Sequence, residues 1–113
     1  MQIEKSFERP NLKRINWYIF KDQDDFLNDL QRSGRPRSEH VRLAVDFHRQ
    51  MNCKVVMESE GTLVKRGFKI TAEQKKYIED IAYENNVDLA FVLRDALHVY
   101  QKYQLEDYKC GNQ

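Results

Sequence analysis

Residues 39–51, EHVRLAVDFHRQM, lie over residues 91–103, FVLRDALHVYQKY, when the 113-residue chain is slid against itself by 52 positions. Val41, Arg42, Ala44 and Val45 fall on Leu93, Arg94, Ala96 and Leu97. In both segments apolar residues recur at i, i+3 and i+4, the stripe of an amphipathic helix with one buried face, and the shared arginine points away from that face. Each segment is therefore expected to be the second helix of a unit that the chain contains twice.

A shorter helical pattern precedes each of them, with Phe26, Leu27 and Leu30 in the first copy and Ile78, Ile81 and Ala82 in the second. Gly34 followed by Pro36 is expected to end the first, and Asn85-Asn86 the second, because glycine and asparagine tolerate the left-handed conformation that closes a helix. Thr71, followed by Glu73 and Gln74, is the expected N-cap of the second copy. Further upstream, RINWYIF (14–20) and VKRGFKI (64–70) alternate as strands do. Ile15, Trp17 and Ile19 share one face with Arg14, Asn16 and Tyr18 on the other; Phe68 and Ile70 oppose Lys65, Gly67 and Lys69.

The unit is thus strand, helix, helix, at 13–51 and again at 63–104, with an arm before it (1–12), a connector (52–62) and a tail (105–113). The offset is 51 at the strands and 52 at the second helices, so one copy has an extra residue in its first helix or turn. A unit of this size with one strand cannot satisfy its own strand edges or bury its stripe. The two are expected to share one core, pairing their strands as an antiparallel two-stranded ribbon on four helices, with Trp17 in that core.

Composition agrees with a folded chain: 41% hydrophobic and 33% charged. The longest uncharged apolar run, LAFVL between Asp88 and Arg94, is far short of the roughly 20 residues that cross a bilayer, and the N-terminus has no signal-peptide pattern, so a cytosolic protein is expected. Cys53 and Cys110 form no C-x-x-C pair, which leaves a metal site or disulfide framework without support. The net charge of +1 conceals strong segregation. Arg9 to Lys21, Arg32 to Arg37 and Lys65 to Lys69 hold ten bases and no acid, whereas acids gather in Asp22–Asp29 and between Glu79 and Asp88.

The stretch INWYIF…SGRPRSEHVRLAV resembles the ribbon-helix-helix DNA-binding family of the MetJ and Arc type, in which a strand is followed by a Gly-x-Ser-x-Ser-Glu turn and an Ile-Arg-x-Ala helix. Nearly the whole chain is covered if both copies are counted. Pro36 stands where the first serine is usual, and the second copy has Asn86, Asp88 and Ala90 at the turn positions. The resemblance implies a mostly α fold with a two-stranded antiparallel β-ribbon, a pseudo-two-fold tandem of two copies. It also implies a ribbon inserted into the major groove of double-stranded DNA. Carried over by position, the base contacts are Arg14, Asn16, Tyr18, Lys65, Gly67 and Lys69. Arginine and lysine suit guanine acceptors, asparagine suits adenine, and glycine admits close backbone approach.

The same resemblance places phosphate contacts at Lys13, Arg35, Arg37 and Ser38, around the start of the second helix. Val87, Asp88 and Leu89 offer no cation at the matching place, so the first copy is expected to grip the backbone more strongly. Unlike halves imply an asymmetric DNA site, and longer operators imply several molecules side by side. A transcriptional repressor is the leading expectation. The alternatives are an accessory DNA-binding protein of a plasmid or mobile element, or a protein-binding inhibitor or antitoxin on the same fold.

Other polar residues are read as structural. Arg42 and Arg94 are expected at the surface or in salt bridges, with Glu39 three residues before Arg42. His40, His48 and His98 are expected as partly buried packing residues. No cofactor is implied, and no glycine-rich phosphate loop or nucleophile motif supports an enzyme.

Overall fold

The computed structural model describes residues 12–51, 55 and 61–110, with side chains as far as 104. The arm up to residue 11, including Arg9, most of the connector with Cys53, and residues 111–113 lie outside the described residues. In chain order the elements are β1 (Leu12–Phe20), α1 (Lys21–Gln31), α2 (Arg37–Gln50), β2 (Leu63–Thr71), α3 (Ala72–Asn85) and α4 (Leu89–Cys110). The chain is mostly helical with one two-stranded antiparallel sheet, as expected. α4 continues through residues that sequence alone assigns to a tail.

β1 and β2 pair in a single unbroken register, Leu12 opposite Thr71, Asn16 opposite Gly67 and Phe20 opposite Leu63. Alternation then decides what each face meets. Trp17, Ile19, Phe68 and Ile70 turn toward the helices and are buried. They join Leu27 of α1, Val41, Ala44 and Val45 of α2, Ile78 and Ala82 of α3, and Val92, Leu93, Ala96 and Leu97 of α4. Both predicted helix stripes therefore face one shared core, whose aliphatic side chains each contribute about 1.5–3 kcal/mol of burial.

The helices start where a side chain can take up a free backbone group. Thr71 Oγ1 accepts the Gln74 N–H at 3.0 Å while Gln74 Oε1 accepts the Thr71 N–H at 2.9 Å, a reciprocal cap at the N-terminus of α3. At the start of α1, Gln23 Oε1 accepts the Phe20 N–H at 3.1 Å, the same half of that device, Phe20 having no side-chain acceptor. Both glutamines also reach across the core: Gln23 Nε2 donates to the Arg94 carbonyl, and Gln74 Nε2 donates to Asp46 Oδ1 and the Arg42 carbonyl. Pro36 precedes α2 with no side-chain cap, its carbonyl accepting the first helical bonds. α3 closes at Asn86, with φ 57° and ψ 47°, and the Val87 N–H returns to the Ala82 carbonyl at 3.0 Å. Gly34 occupies the turn between α1 and α2 at φ +107°.

Arg42 and Arg94 are partly exposed on the outer side of their helices, as expected, but neither forms a salt bridge among the described residues. Instead of pairing with an acid at the surface, Arg42 donates to the Lys69 carbonyl at 3.1 Å and Arg94 to the Tyr18 carbonyl at 2.9 Å. Glu39 pairs with Arg35. The edges of a two-stranded sheet carry unpaired carbonyls, and these outward arginines stand where they can cover them. Burial holds the Arg94 pKa below its usual range, with Asp88 opposing. The histidines divide: His40 and His48 are buried, but His98 is exposed. His48 Nε2 donates to Asp95 Oδ2 at 2.8 Å, and its other nitrogen bonds the Tyr77 hydroxyl. His48 and Asp95 are wholly buried, so the pair has no access to a substrate.

Two stability changes follow. Nothing lies within 4 Å of a Cβ built on Gly34, so Gly34→Ala meets only the positive-φ penalty and is expected to cost about 1–2 kcal/mol in urea denaturation. The His40 pKa is lowered, first by burial and then by Arg35, with Glu39 opposing. The unfolded chain therefore binds a proton that the folded chain resists. His40 contributes its full stability above the ordinary pKa of 6.5, and that contribution declines as pH falls below it. Urea midpoints measured between pH 7.5 and 5.5 are expected to fall less steeply in His40→Gln than in the parent protein.

Candidate nucleic-acid interface

The outward face of the ribbon holds three cross-strand pairs: Arg14 with Lys69, Asn16 with Gly67, and Tyr18 with Lys65. All six residues assigned to base contacts thus share one surface. Five are exposed, Tyr18 by 51%, and Gly67 is half-buried. Tyr18 and Lys69 turn backbone groups outward to helix side chains, with Ser38 Oγ accepting the Lys69 N–H at 3.0 Å. The outward residues are accordingly the non-hydrogen-bonded pairs of the ladder, whose Cα atoms approach to about 4.5 Å. Both strands therefore offer their side chains as one narrow row.

Gly67 supports this row differently from what its sequence position suggests. A Cβ added there would meet Arg14 Nε at 2.6 Å and Arg14 Cζ at 2.8 Å. The missing side chain makes room for the Arg14 guanidinium, which lies diagonally across the centre of the ribbon.

Charge distinguishes the two faces. Among the described residues, no carboxylate comes within ion-pair distance of Arg14, Lys65 or Lys69. Arg66, on the inward parity between Val64 and Phe68, is neutralised instead. Its Nε and Nη2 donate to the two oxygens of Asp24, each at 3.0 Å. Arg37 Nη1 donates to the same Asp24 at 3.0 Å and to Asn28 Oδ1 at 3.1 Å. Asp24 is 3% exposed and fastens α1 to the first residue of α2 and to β2. Two hydrogen-bonded cations offset the burial of one carboxylate, which is what allows an acid to stand there.

The four residues assigned to phosphate are less concentrated. Ser38 touches the ribbon edge through Lys69, whereas Arg37 is engaged by Asp24 and lies 5.9 Å from the Phe68 ring centre. Arg35 is exposed and approaches Glu39 at 3.6 Å. Lys13 is exposed near the end of β1, opposite Ile70 on the other parity. α4 begins with Leu89 and Ala90 behind Asp88 and carries no cation in its first turn. The described residues contain no cluster of histidine, cysteine or carboxylate suited to a metal ion, and no described helix is long and apolar enough to cross a membrane.

Sequence reasoning missed the roles of Asp24, Arg66 and Gln23, and saw Gln74 only beside the Thr71 cap. Signals for three of them exist. An arginine at an inward strand position needs a buried anion, and Gln23 and Gln74 are identical residues 51 apart, three places after the strands end. Asp24 itself is hidden in an acidic run.

Asp24→Asn should remove the charge while keeping the shape, leaving two arginines partly buried against a neutral group. The expected loss is roughly 1.5–3 kcal/mol, since bonds to a charged group are being weakened. Chemical denaturation of the two proteins at equal salt measures it. Comparison of the chain with known protein families, with curated proteins and with solved structures finds no match.

Proposed function

We propose that this protein binds double-stranded DNA in a sequence-specific manner, laying the β1–β2 ribbon in the major groove as a tandem ribbon-helix-helix. In this reading the two strand-helix-helix halves are related by a pseudo-two-fold axis through the Asn16–Gly67 pair. Matched contacts support the relation. Arg42 bonds the Lys69 carbonyl as Arg94 bonds the Tyr18 carbonyl, and Gln74 bonds the Arg42 carbonyl as Gln23 bonds the Arg94 carbonyl.

The observation that carries the proposal is the set of free cations on the outward ribbon face. Arg14, Lys65 and Lys69 stand there beside Asn16 and Tyr18 without an acid partner among the described residues, while the neighbouring Arg37 and Arg66 are neutralised by Asp24. A two-stranded ribbon fits the major groove, and these side chains match base-edge acceptors and donors. Arg14, Asn16 and Tyr18 read on one strand; Lys65 and Lys69 read on the other, with Gly67 leaving space for Arg14. Ser38, Arg35 and Lys13 contribute phosphate contacts on the first-copy side, Arg37 being held by Asp24, and this makes the recognised site asymmetric. Occlusion of a promoter is the simplest output of such binding, and repression is the proposed role.

Selection from a random duplex library at about 0.15 M salt, where surface electrostatics are partly screened, tests this reading. A short asymmetric motif is expected to be enriched. Replacing Arg14 and Asn16 together by alanine is expected to weaken binding to that motif by about 100-fold or more, since two base-reading side chains are lost. Binding to unrelated duplex and the unfolding midpoint should change little. Undiminished motif binding by the double variant, or retention without any enriched motif, would rule out base reading by this face.

A further inference from the structure

The buried interface between the halves is polar at one end and aromatic at the other. At the polar end His48 of α2 bonds Asp95 of α4 and Tyr77 of α3, with the His48 and Tyr77 rings edge-on at 5.8 Å. Under the repeat correspondence, the positions matching His48, Tyr77 and Asp95 are Tyr100, Phe26 and Leu43. There Tyr100 meets Phe26 edge-on at 6.3 Å, with Leu43 packed on the same core. Ring packing is thus matched at the two ends, but hydrogen bonding is not.

We propose that this mismatch is a pairing key: the first half of the chain accepts the unlike half and rejects a second copy of itself. If two first halves met, His48 would face Phe26 and Leu43 of the other chain, neither of which can bond a ring nitrogen. If two second halves met, Asp95 would exchange the His48 N–H for the Tyr100 phenol, but two chains paired in this way leave their first halves to meet as well. Like pairing of two chains therefore buries His48 stripped of both its partners, a cost that apolar burial does not return. The chain consequently presents one ribbon surface, β1 beside β2, and does not form the β1–β1 or β2–β2 ribbons that like pairing would create. This rests on the repeat correspondence in the proposed reading and is independent of whether the ribbon binds DNA.

A cysteine reporter tests it on the full chain. In a β1–β1 ribbon of the present register, Asn16 would face Asn16 of a second chain as a non-hydrogen-bonded pair, at a spacing that permits a disulfide. Asn16→Cys is placed in a Cys53→Ser/Cys110→Ser background, refolded from urea at high protein concentration, oxidised, and scored for covalent dimer. The same is done in two symmetrised proteins. One carries His48→Tyr, Tyr77→Phe and Asp95→Leu, making both ends aromatic; the other carries Tyr100→His, Phe26→Tyr and Leu43→Asp, making both ends polar. Dimer is expected to be scarce with the native ends and about tenfold more abundant when the ends are alike. If one symmetrised protein does not fold, the other decides. Equal dimer yields in native and symmetrised proteins would overturn the key. As a control on register, Arg14→Cys/Lys69→Cys should close within a single chain. Failure of that link would overturn the strand pairing and the proposal with it, whatever the outcome with DNA.

Discussion

A two-stranded ribbon has two edges and no third strand to cover either of them, and this constraint organises the molecule. Alone, such a ribbon is marginal in water. Here the N–H and carbonyl of Lys69 are taken by Ser38 and Arg42, and the carbonyl of Tyr18 by Arg94. Each bond is modest, about 1 kcal/mol net, but leaving an edge group uncovered beneath a helix would cost more. Because the covering side chains come from α2 and α4, the helices are oriented by the strand edges as well as by the core. The same contacts mark the outward side chains of both strands as the non-hydrogen-bonded pairs of the ladder.

Within that frame, charge is sorted by parity. A cation on the inward side of β2 needs a counter-ion out of water, and Asp24 supplies it to Arg66 and to Arg37 together. Cations on the outward side need none, since water solvates them. Thus the whole chain carries a net charge of only +1 while Arg14, Lys65 and Lys69 form a local positive surface. At physiological salt, fields are damped over about 8 Å, so a polyanion would meet the local surface and not the average. The proposed DNA-binding role follows from that surface and from the groove-filling shape of the ribbon.

Much of the architecture was legible in the residue order. Period-2 alternation in residues 14–20 and 64–70 places Trp17, Ile19, Phe68 and Ile70 inward, and the stripes through Val41 and Leu93 place the second helices against them. The turn chemistry of Gly34, Thr71 and Asn86 is local, so short spans of chain suffice to read it. His98 was misread although the repeat marked it: it matches the exposed Asp46, and a position polar in both copies belongs to the solvent side of the helix. The shared arginines were seen to point away from the stripe, but their task was invisible because a strand carbonyl leaves no trace in side-chain identity.

By itself, then, the sequence determined the elements, the faces they bury and the two ends of α3, because hydrophobic periodicity and backbone preference act over a few residues. Only the tertiary structure decided which polar groups meet. Asp24 finds Arg66 across 42 residues, His48 finds Asp95 across 47, and Arg94 finds the Tyr18 carbonyl across 76. Hydrogen bonds and ion pairs are short and directional, and no pattern along the chain specifies a partner that folding alone brings within 3 Å.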